Sequence, residues 1–253
     1  MFIDSHAHLG SDEIFSSIEE IRVRASNAQV EAIVNICTDI KTLERGIALK
    51  NGTPSVVLAA ATTPHDVEHE GESFFTFVEK AIRDNHLVAL GETGLDYYYE
   101  HSPKDLQKKF LVKYFELAKR SQLPLIFHCR DAFADLFSLA KAEYKQGSAL
   151  VHCFTGDLQE AKQALDFGWL VSFSGIITFK KSHLLREVVE YIPLDRILIE
   201  TDSPFLAPQS KRGNKNEPSF IVETAEAISV IKKISLDEVA LATKNNARAF
   251  FSF

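Results

Sequence analysis

The sequence predicts a single (β/α)8 TIM barrel spanning residues 1–253, with an active site at the C-terminal ends of its strands, and three observations predict it. Eight short apolar runs follow one another along the chain, each succeeded by a segment of helical character. The length of 253 residues suits one barrel of ~250 residues, and no linker, repeat or low-complexity stretch divides it. The rival architecture, an open doubly wound sheet, wants a Gly-rich phosphate loop after its first strand. This chain has His6-Ala7-His8 there.

The first run, Phe2 to Leu9, is an apolar strand carrying two histidines one residue apart; strict alternation would place Asp4, His6 and His8 on one face. Asp12 to Gln29 carries Ile14, Phe15, Ile18, Ile21 and Ala25 at near-helical spacing. Ala32 to Cys37 reads as the second strand, Thr42 to Leu49 as a short helix, Gly52-Thr53-Pro54 as a turn and Val56 to Ala61 as the third strand. Phe74, Phe77, Val78, Ala81 and Ile82 mark an amphipathic helix. Leu87 to Glu92 is the fourth strand, ending in an acid, and Ser102-Pro103 has the form of an N-cap with proline at the first helical position, opening a helix to about Ser121. Leu123 to His128 is the fifth strand, Asp131 a candidate cap for the next helix, and Ser148 to His152 the sixth strand. Asp157 followed by Glu160 resembles a capping box, with Gly168 closing that helix. Trp169 to Ser174 is the seventh strand, Ser182 to Tyr191 a helix, and Arg196 to Asp202 the eighth strand, again ending in an acid. Two or three helices follow a loop over 203–218.

Composition sets outer bounds. Hydrophobic residues at 45% and charged ones at 25% describe a globular chain rather than a disordered one. No apolar run nears the ~20 residues of a membrane span, and the N-terminus lacks a signal-peptide pattern, so the expectation is a cytoplasmic protein with no membrane partner. Cys37, Cys129 and Cys153 form no Cys-x-x-Cys pair and read as buried, reduced thiols; alternation turns Cys129 and Cys153 towards the helices. A net charge of −7 argues against a general nucleic-acid-coating protein, whose binding rests chiefly on clustered Lys and Arg, but leaves room for a local site where metal ions supply positive charge.

The acids and histidines carry the chemistry. His6 and His8 end the first strand, Glu92 the fourth, His128 the fifth, His152 the sixth and Asp202 the eighth, so a closed barrel gathers all six at its C-terminal mouth, where barrel enzymes keep their active sites. Six N and O donors exceed what one tetrahedral zinc site takes and suit two divalent cations, Mg²⁺, Mn²⁺ or Zn²⁺. The order of strands around the ring assigns His6, His8 and Asp202 to one ion, His128 and His152 to the other, and Glu92 to both. Two such ions ~3.5–4 Å apart deprotonate a bridging water, and Asp202 is placed to orient that nucleophile and take its proton.

The stretches FIDSHAHL, GETGLDY, LPLIFHCRDAF, ALVHCFTGDLQEA, FSGIITFK, RILIETDSPFLAP and RGNKNEP, in this order over nearly the whole chain, resemble the TatD family of metal-dependent deoxyribonucleases and hydrolases within the amidohydrolase superfamily. The resemblance implies the same barrel, a divalent-metal site built by the same six residues, and hydrolysis of DNA phosphodiesters, often as a 3′–5′ exonuclease. It departs from the family in one place. The usual His-Pro-His after the third strand reads Thr63-Pro64-His65, which removes one imidazole from the mouth.

Substrate contacts are expected around that mouth. His65 could meet phosphate, and Arg130, Lys180, Lys181, Lys211, Arg212 and Lys215 lie on segments leaving strand ends, as phosphate holders or as solvated loop charges. Tyr97, Tyr98 and Tyr99 follow the fourth strand and suit stacking on unpaired bases, at least one of them instead serving packing; Tyr97 is taken as the candidate. Asp4 and Glu200 stand two residues before ligands and are candidates to orient them, or members of a polar layer in the barrel core. The expected partner is a DNA end, single-stranded in preference, with no obligate protein partner. Two other readings stand beside the nuclease: a hydrolase of small cyclic amides, esters or lactones, where a carboxylated lysine commonly holds the place of Glu92, and a non-catalytic barrel that binds metal and nucleic acid.

Overall fold

Runs of Val, Ile, Leu and Ala with few polar interruptions make strands that can be buried on both faces, and such strands stack in parallel only if helices cover them. In the computed structural model, which describes residues 1–52 and 55–253, β1 (Phe2–Ala7), β2 (Val30–Cys37), β3 (Val56–Ala60), β4 (Leu87–Asp96), β5 (Leu125–Arg130), β6 (Ala149–Val151), β7 (Leu170–Phe173) and β8 (Ile197–Ile199) pair in chain order, every neighbouring pair parallel. The chain just beyond β8 completes the ring: Ala7 bridges Ser203, Asp202 N donates to His6 O at 2.9 Å, and His8 N donates to Ser203 O at 2.7 Å. The helices α1 (Ile18–Asn27), α2 (Ile40–Gly52), α3 (Gly71–Arg83), α4 (Lys104–Ser121), α5 (Phe133–Glu143), α6 (Leu158–Asp166), α7 (His183–Tyr191), α8 (Ile221–Lys232) and α9 (Leu236–Phe251) alternate with and follow the strands, the (β/α)8 TIM barrel that the sequence predicts. Among the described residues no helix is long and apolar enough to cross a membrane.

Alternation along the strands separates two cores. Ile33, Leu58, Leu125, Phe127, Val151, Phe173 and Ile199 pack outward against the helices. Ala32, Val34, Ile36, Val57, Ala59, Ile126, Leu150 and Leu198 fill the barrel, joined by Phe250 and Phe251 of α9. Two residues further along the chain come His128 after Ile126, within β5, and, just past the ends of β6 and β8 rather than inside the strands as read from the sequence, His152 after Leu150 and Glu200 after Leu198. An apolar floor therefore supports a polar layer at the C-terminal end.

Several elements differ from the sequence reading, each for a local reason. Two residues of β4, Gly91 and Glu92, oppose the single Ile126 of β5 between the Leu90–Leu125 and Thr93–Phe127 pairs, a bulge that contains Glu92 in mid-strand rather than at the strand's end. Beyond it Gly94, at φ +148°, lies so close to β5 that an added Cβ would stand 1.9 Å from His128 O; only glycine fits. A similar irregularity in β1, between the Asp4–Ile33 and Ala7–Asn35 pairs, breaks the alternation there. Asp4 consequently does not sit under His6 as a ligand orienter. Its carboxylate accepts from Thr201 N at 3.0 Å, Thr201 Oγ1 at 2.5 Å and His6 N at 3.3 Å, tying β1 to the end of β8.

Helix starts also move. A 3₁₀ turn, Phe15–Ser17, precedes α1, which opens at Ile18 rather than near Asp12. Ser102 does not cap α4, whose N-cap is Pro103; its hydroxyl instead donates to His65 O at 2.8 Å and accepts from Glu68 N at 3.3 Å. Asp131 adopts φ +54°, and Ala132 stands at the N-cap of α5. The Asp157–Glu160 capping box is present, Asp157 Oδ1 accepting from Gln159 N and Glu160 N at 2.8 Å. Cys129 packs on the helix side, whereas Cys153, past the end of β6 and at φ +42°, lines the mouth with its Sγ 3.2 Å from Ser174 Oγ. Of the turn expected at Gly52-Thr53-Pro54, Gly52 is the last residue of α2, and Thr53 and Pro54 lie outside the described residues.

Candidate metal centre

The mouth is a cavity of about 1070 Å³ lined by residues at or beyond the C-terminal ends of all eight strands. At its base the structure brings His6, His8, Glu92, His128, His152 and Asp202 together. Glu92 Oε2 lies 2.6 Å from His152 Nε2, 3.5 Å from His6 Nε2 and 3.8 Å from His128 Nδ1, while Asp202 Oδ1 lies 3.3 Å from His8 Nε2 and 3.6 Å from His6 Nε2. His6 Nε2 and His8 Nε2 are themselves 3.3 Å apart. The separations of 3.3 to 3.8 Å are also those of donors gathered around ions, since bonds of ~2.1 Å set at tetrahedral angles leave donor atoms about 3.4 Å apart. His152 Nε2, close as it is to Glu92, has no hydrogen-bond geometry, and His6 Nδ1 and His152 Nδ1 are also buried without a hydrogen-bond partner. Soft and hard requirements agree as well, since imidazole and carboxylate donors suit Zn²⁺ and Mn²⁺ and carboxylates suit Mg²⁺. The donors therefore fit divalent cations: His6 with His8 and Glu92, and Glu92 with His128 and His152, form two groups that meet at Glu92, while His6, His152 and Asp202 form a third.

Two acids stand behind the histidines. Asp96 Oδ2 is 2.8 Å from His128 Nε2, leaving Nδ1 to face Glu92, and Glu200 Oε1 approaches His152 Nδ1 at 3.4 Å while Ser172 Oγ donates to its Oε2 at 2.5 Å. Carboxylates behind ligating imidazoles select the tautomer and hold the ring. Glu200 was expected here and Asp96 was not. Its spacing, four residues beyond Glu92, matches one strand face, but that signal holds only once β4 is seen to run on to Asp96 rather than ending at Glu92.

The electrostatics follow from burial and crowding. Burial pushes the His6 imidazole well below its ordinary range, and the neighbouring His152 adds to this. For His152 burial acts in the same direction, but the Glu92 and Glu200 carboxylates outweigh it and hold the imidazolium well above the usual value of 6.5. Burial would raise Glu92, yet His152, His6 and His8 together keep it well below the carboxylate range. His8 is raised despite burial, by Asp202 and Glu92. Asp96 is lowered to about 2 against its burial, through His128 and the Tyr99 N–H, whereas burial lifts Asp4 to about 7.

In the metal-free protein the raised His152 adds stability that is complete below its unfolded value near 6.5 and is lost as pH rises through its higher folded value. A metal ligand must be the neutral imidazole, so at pH 7 cation binding expels a proton, and affinity rises with pH until His152 is neutral. Calorimetric titration at pH 7 in buffers of different ionisation enthalpy should show release of about one proton or more per chain on cation binding. Buffer-independent heats would contradict a protonated His152.

The rim sorts the remaining candidates. His65 lines the cavity with its Nε2 3.7 Å from Asp96 Oδ2. Thr63, in place of the family's first histidine, is buried; its Oγ1 donates to Asp66 Oδ2 at 2.9 Å and accepts from His65 N at 3.2 Å, so it shapes the turn that presents His65. Arg130 lines the cavity, its guanidinium 3.8 Å from the Tyr98 ring centre and 4.8 Å from that of Tyr99. Tyr97 does not reach the mouth: it packs on the outer core and its hydroxyl donates to Asp135 Oδ2 at 2.6 Å, leaving Tyr98 and Tyr99 at the rim. Arg212 is likewise away from the cavity, stacked 4.6 Å from the Phe179 ring centre, while Lys211 covers Phe220 and Lys215 donates to Glu13 O. Lys41 and Arg45, not expected from the sequence, line the opposite side and share Asp12 at 2.7 Å each. Their signal was weak, since a basic pair on a helix is ordinarily solvated.

Comparison with known proteins agrees with this geometry. The sequence model of the family described as TatD related DNase matches residues 3–252. The chain is 36% identical to the uncharacterized metal-dependent hydrolase YabD of Bacillus subtilis over 99% of both chains. It is 32% identical to the uncharacterized metal-dependent hydrolase YcfH of Escherichia coli, over 98% of this chain and 95% of that protein. The crystal structure of YjjV, a TatD homologue from Escherichia coli, superposes with a TM-score of 0.94 at 27% identity, covering 100% of this chain and 98% of that one. A hydrolase of the TatD family from Entamoeba histolytica superposes with a TM-score of 0.86 at 26% identity, over 98% of this chain and 97% of that one. Matched from residue 3 to residue 252 in sequence and over its whole length in fold, the chain belongs to the TatD family.

Proposed function

We propose that this protein is a divalent-metal-dependent hydrolase that removes nucleotides from the ends of single-stranded DNA, working in the 3′ to 5′ direction with two cations. His6, His8 and Asp202 would hold one cation and His128 and His152 the other, with Glu92 placed to serve both. The observation that carries this reading is the convergence of His6, His128 and His152, from three strands, on the single atom Glu92 Oε2. When bound, the ions supply positive charge that polarises a phosphoryl oxygen and acidifies water.

The chain's own residues do the rest. Asp202 orients the attacking water and takes its proton on the carboxylate, beside His8. Glu200 and Asp96 hold the rings of His152 and His128, so that Nε2 of the one and Nδ1 of the other are turned to the cations. Arg130 and His65 meet phosphates on one side of the mouth, and Tyr98 and Tyr99 stack on unpaired bases; binding of this kind is sequence-tolerant and weakens with salt.

Substrate geometry follows from depth. The donors lie at the bottom of a bowl walled by strand-to-helix loops, and a stiff duplex about 20 Å across, an order-of-magnitude figure consistent with its groove dimensions, cannot lower an internal phosphate to them. A free single-stranded end can. Linear single strands should shorten stepwise, faster than blunt duplexes, while covalently closed single-stranded circles of the same sequence persist. Equal loss of circles and linear strands would show internal cleavage and overturn the end-directed reading.

A further inference from the structure

The segment that leaves β8 presents an aromatic ring to the mouth on the side away from the tyrosines. Phe205 lines the cavity with its ring centre 5.8 Å from that of His8, at an interplanar angle of 66°, and 46% of the residue is exposed. Its backbone, by contrast, is fixed. Phe205 N donates to Asp202 O at 2.9 Å, and Phe205 O accepts from Asn216 Nδ2 at 2.7 Å. Asn216 is wholly buried; the same Nδ2 donates to Thr201 O at 2.7 Å, and its N–H donates to Pro204 O at 3.0 Å. A large apolar ring is thus held firmly against a metal-ligand histidine while much of its surface stays in water. Nothing in the fold requires that exposure, because the clamp acts on the backbone and would hold any side chain there.

Across the mouth stands the second aromatic group. Tyr98 and Tyr99 are 58% and 51% exposed, and the Arg130 guanidinium lies over both. Phe205 touches a ring of the metal centre, whereas Tyr98 and Tyr99 lie out at the rim. A single strand that enters end first brings its last nucleoside deepest, so the deepest ring meets the last base and the rim pair meets the bases behind it.

We infer that Phe205 is the stacking platform for the terminal base, a positioning residue that seats the last nucleotide so that its phosphate comes to rest over the metal donors. This rests on the nuclease reading above and adds the requirement that the terminal residue carry a base. Because a phenyl face accepts any base, the site discriminates presence of a base from absence and not one base from another.

The test compares two linear single strands that differ only at the 3′ end, one bearing a normal terminal nucleotide and the other an abasic residue, with the metal-loaded full chain and release of the first residue as the readout. A stacked base contributes ~1–3 kcal/mol, so the unmodified protein should favour the base-bearing end by about 5- to 150-fold. In Phe205→Ala that ratio should fall towards one, and in Phe205→Trp it should be kept or rise, with bound metal measured in each variant. If Phe205→Ala slows both strands equally and keeps the ratio, the ring only supports His8 and the inference is overturned. A ratio of one in the unmodified protein overturns it too, while leaving the nuclease reading standing. Failure to shorten either strand overturns the nuclease reading itself, and this assignment with it.

Discussion

Asp202→Asn should lower the rate of nucleotide release by about 10³-fold or more while the barrel stays folded and cations still bind. Proton transfer by a positioned side chain contributes 10²–10⁴-fold, and the amide has lost both the charge and the basicity that the role needs. The backbone tolerates the change. Asp202 sits at φ +59°, a left-handed conformation that asparagine adopts readily, and the N–H that bonds His6 O is untouched. The donors His6, His8, Glu92, His128 and His152 remain. Rates on linear single strands, together with metal content and circular dichroism of the variant, check this. A folded, metal-loaded Asp202→Asn protein with full activity would remove Asp202 from the proton transfer.

Removing divalent cations should lower the melting temperature by roughly 5–10 °C at saturating metal. An ion that binds only the folded chain stabilises it by ~2.7 kcal/mol at a hundredfold excess over its dissociation constant, and ~2–4 °C per kcal/mol applies to a chain of this size. The sign follows from the site. Glu92, Glu200 and Asp202 are all buried at one end of the barrel, and in the metal-free state their charge is offset by protonation, of His152 and of Glu200, whose carboxyl burial raises. Thermal melts with chelator and with added Mn²⁺ measure the difference. Identical melting temperatures in protein verified as metal-free and metal-loaded would contradict an assembled site.

The barrel was legible because each strand is an uninterrupted apolar run bounded by helical periodicity, a signal that survives without tertiary knowledge. Strand ends were less so. Glu92 and His128 lie inside their strands because β4 and β5 keep pairing through Asp96 and Arg130, polar residues that look like loop when read alone. Alternation failed where bulges intervene: the irregularity in β1 takes Asp4 away from His6, and no local residue pattern announces it. The gathering of His6, His8, Glu92, His128, His152 and Asp202 followed from topology, since equivalent ends of parallel strands must meet. The rim did not follow. Whether Tyr97 or Tyr98 faces the mouth depends on one bond to Asp135, from α5, and Arg212 is drawn to Phe179 by contacts between segments far apart in sequence.

The central claim is that the mouth holds two divalent ions joined through Glu92, and Mn²⁺ titration followed by electron paramagnetic resonance tests it most directly. The account predicts that two Mn²⁺ bind per chain with the spectrum of an exchange-coupled pair, and that Glu92→Gln loses the coupling. One Mn²⁺ at saturation, or two that give only uncoupled six-line signals in the unmodified protein, would contradict it.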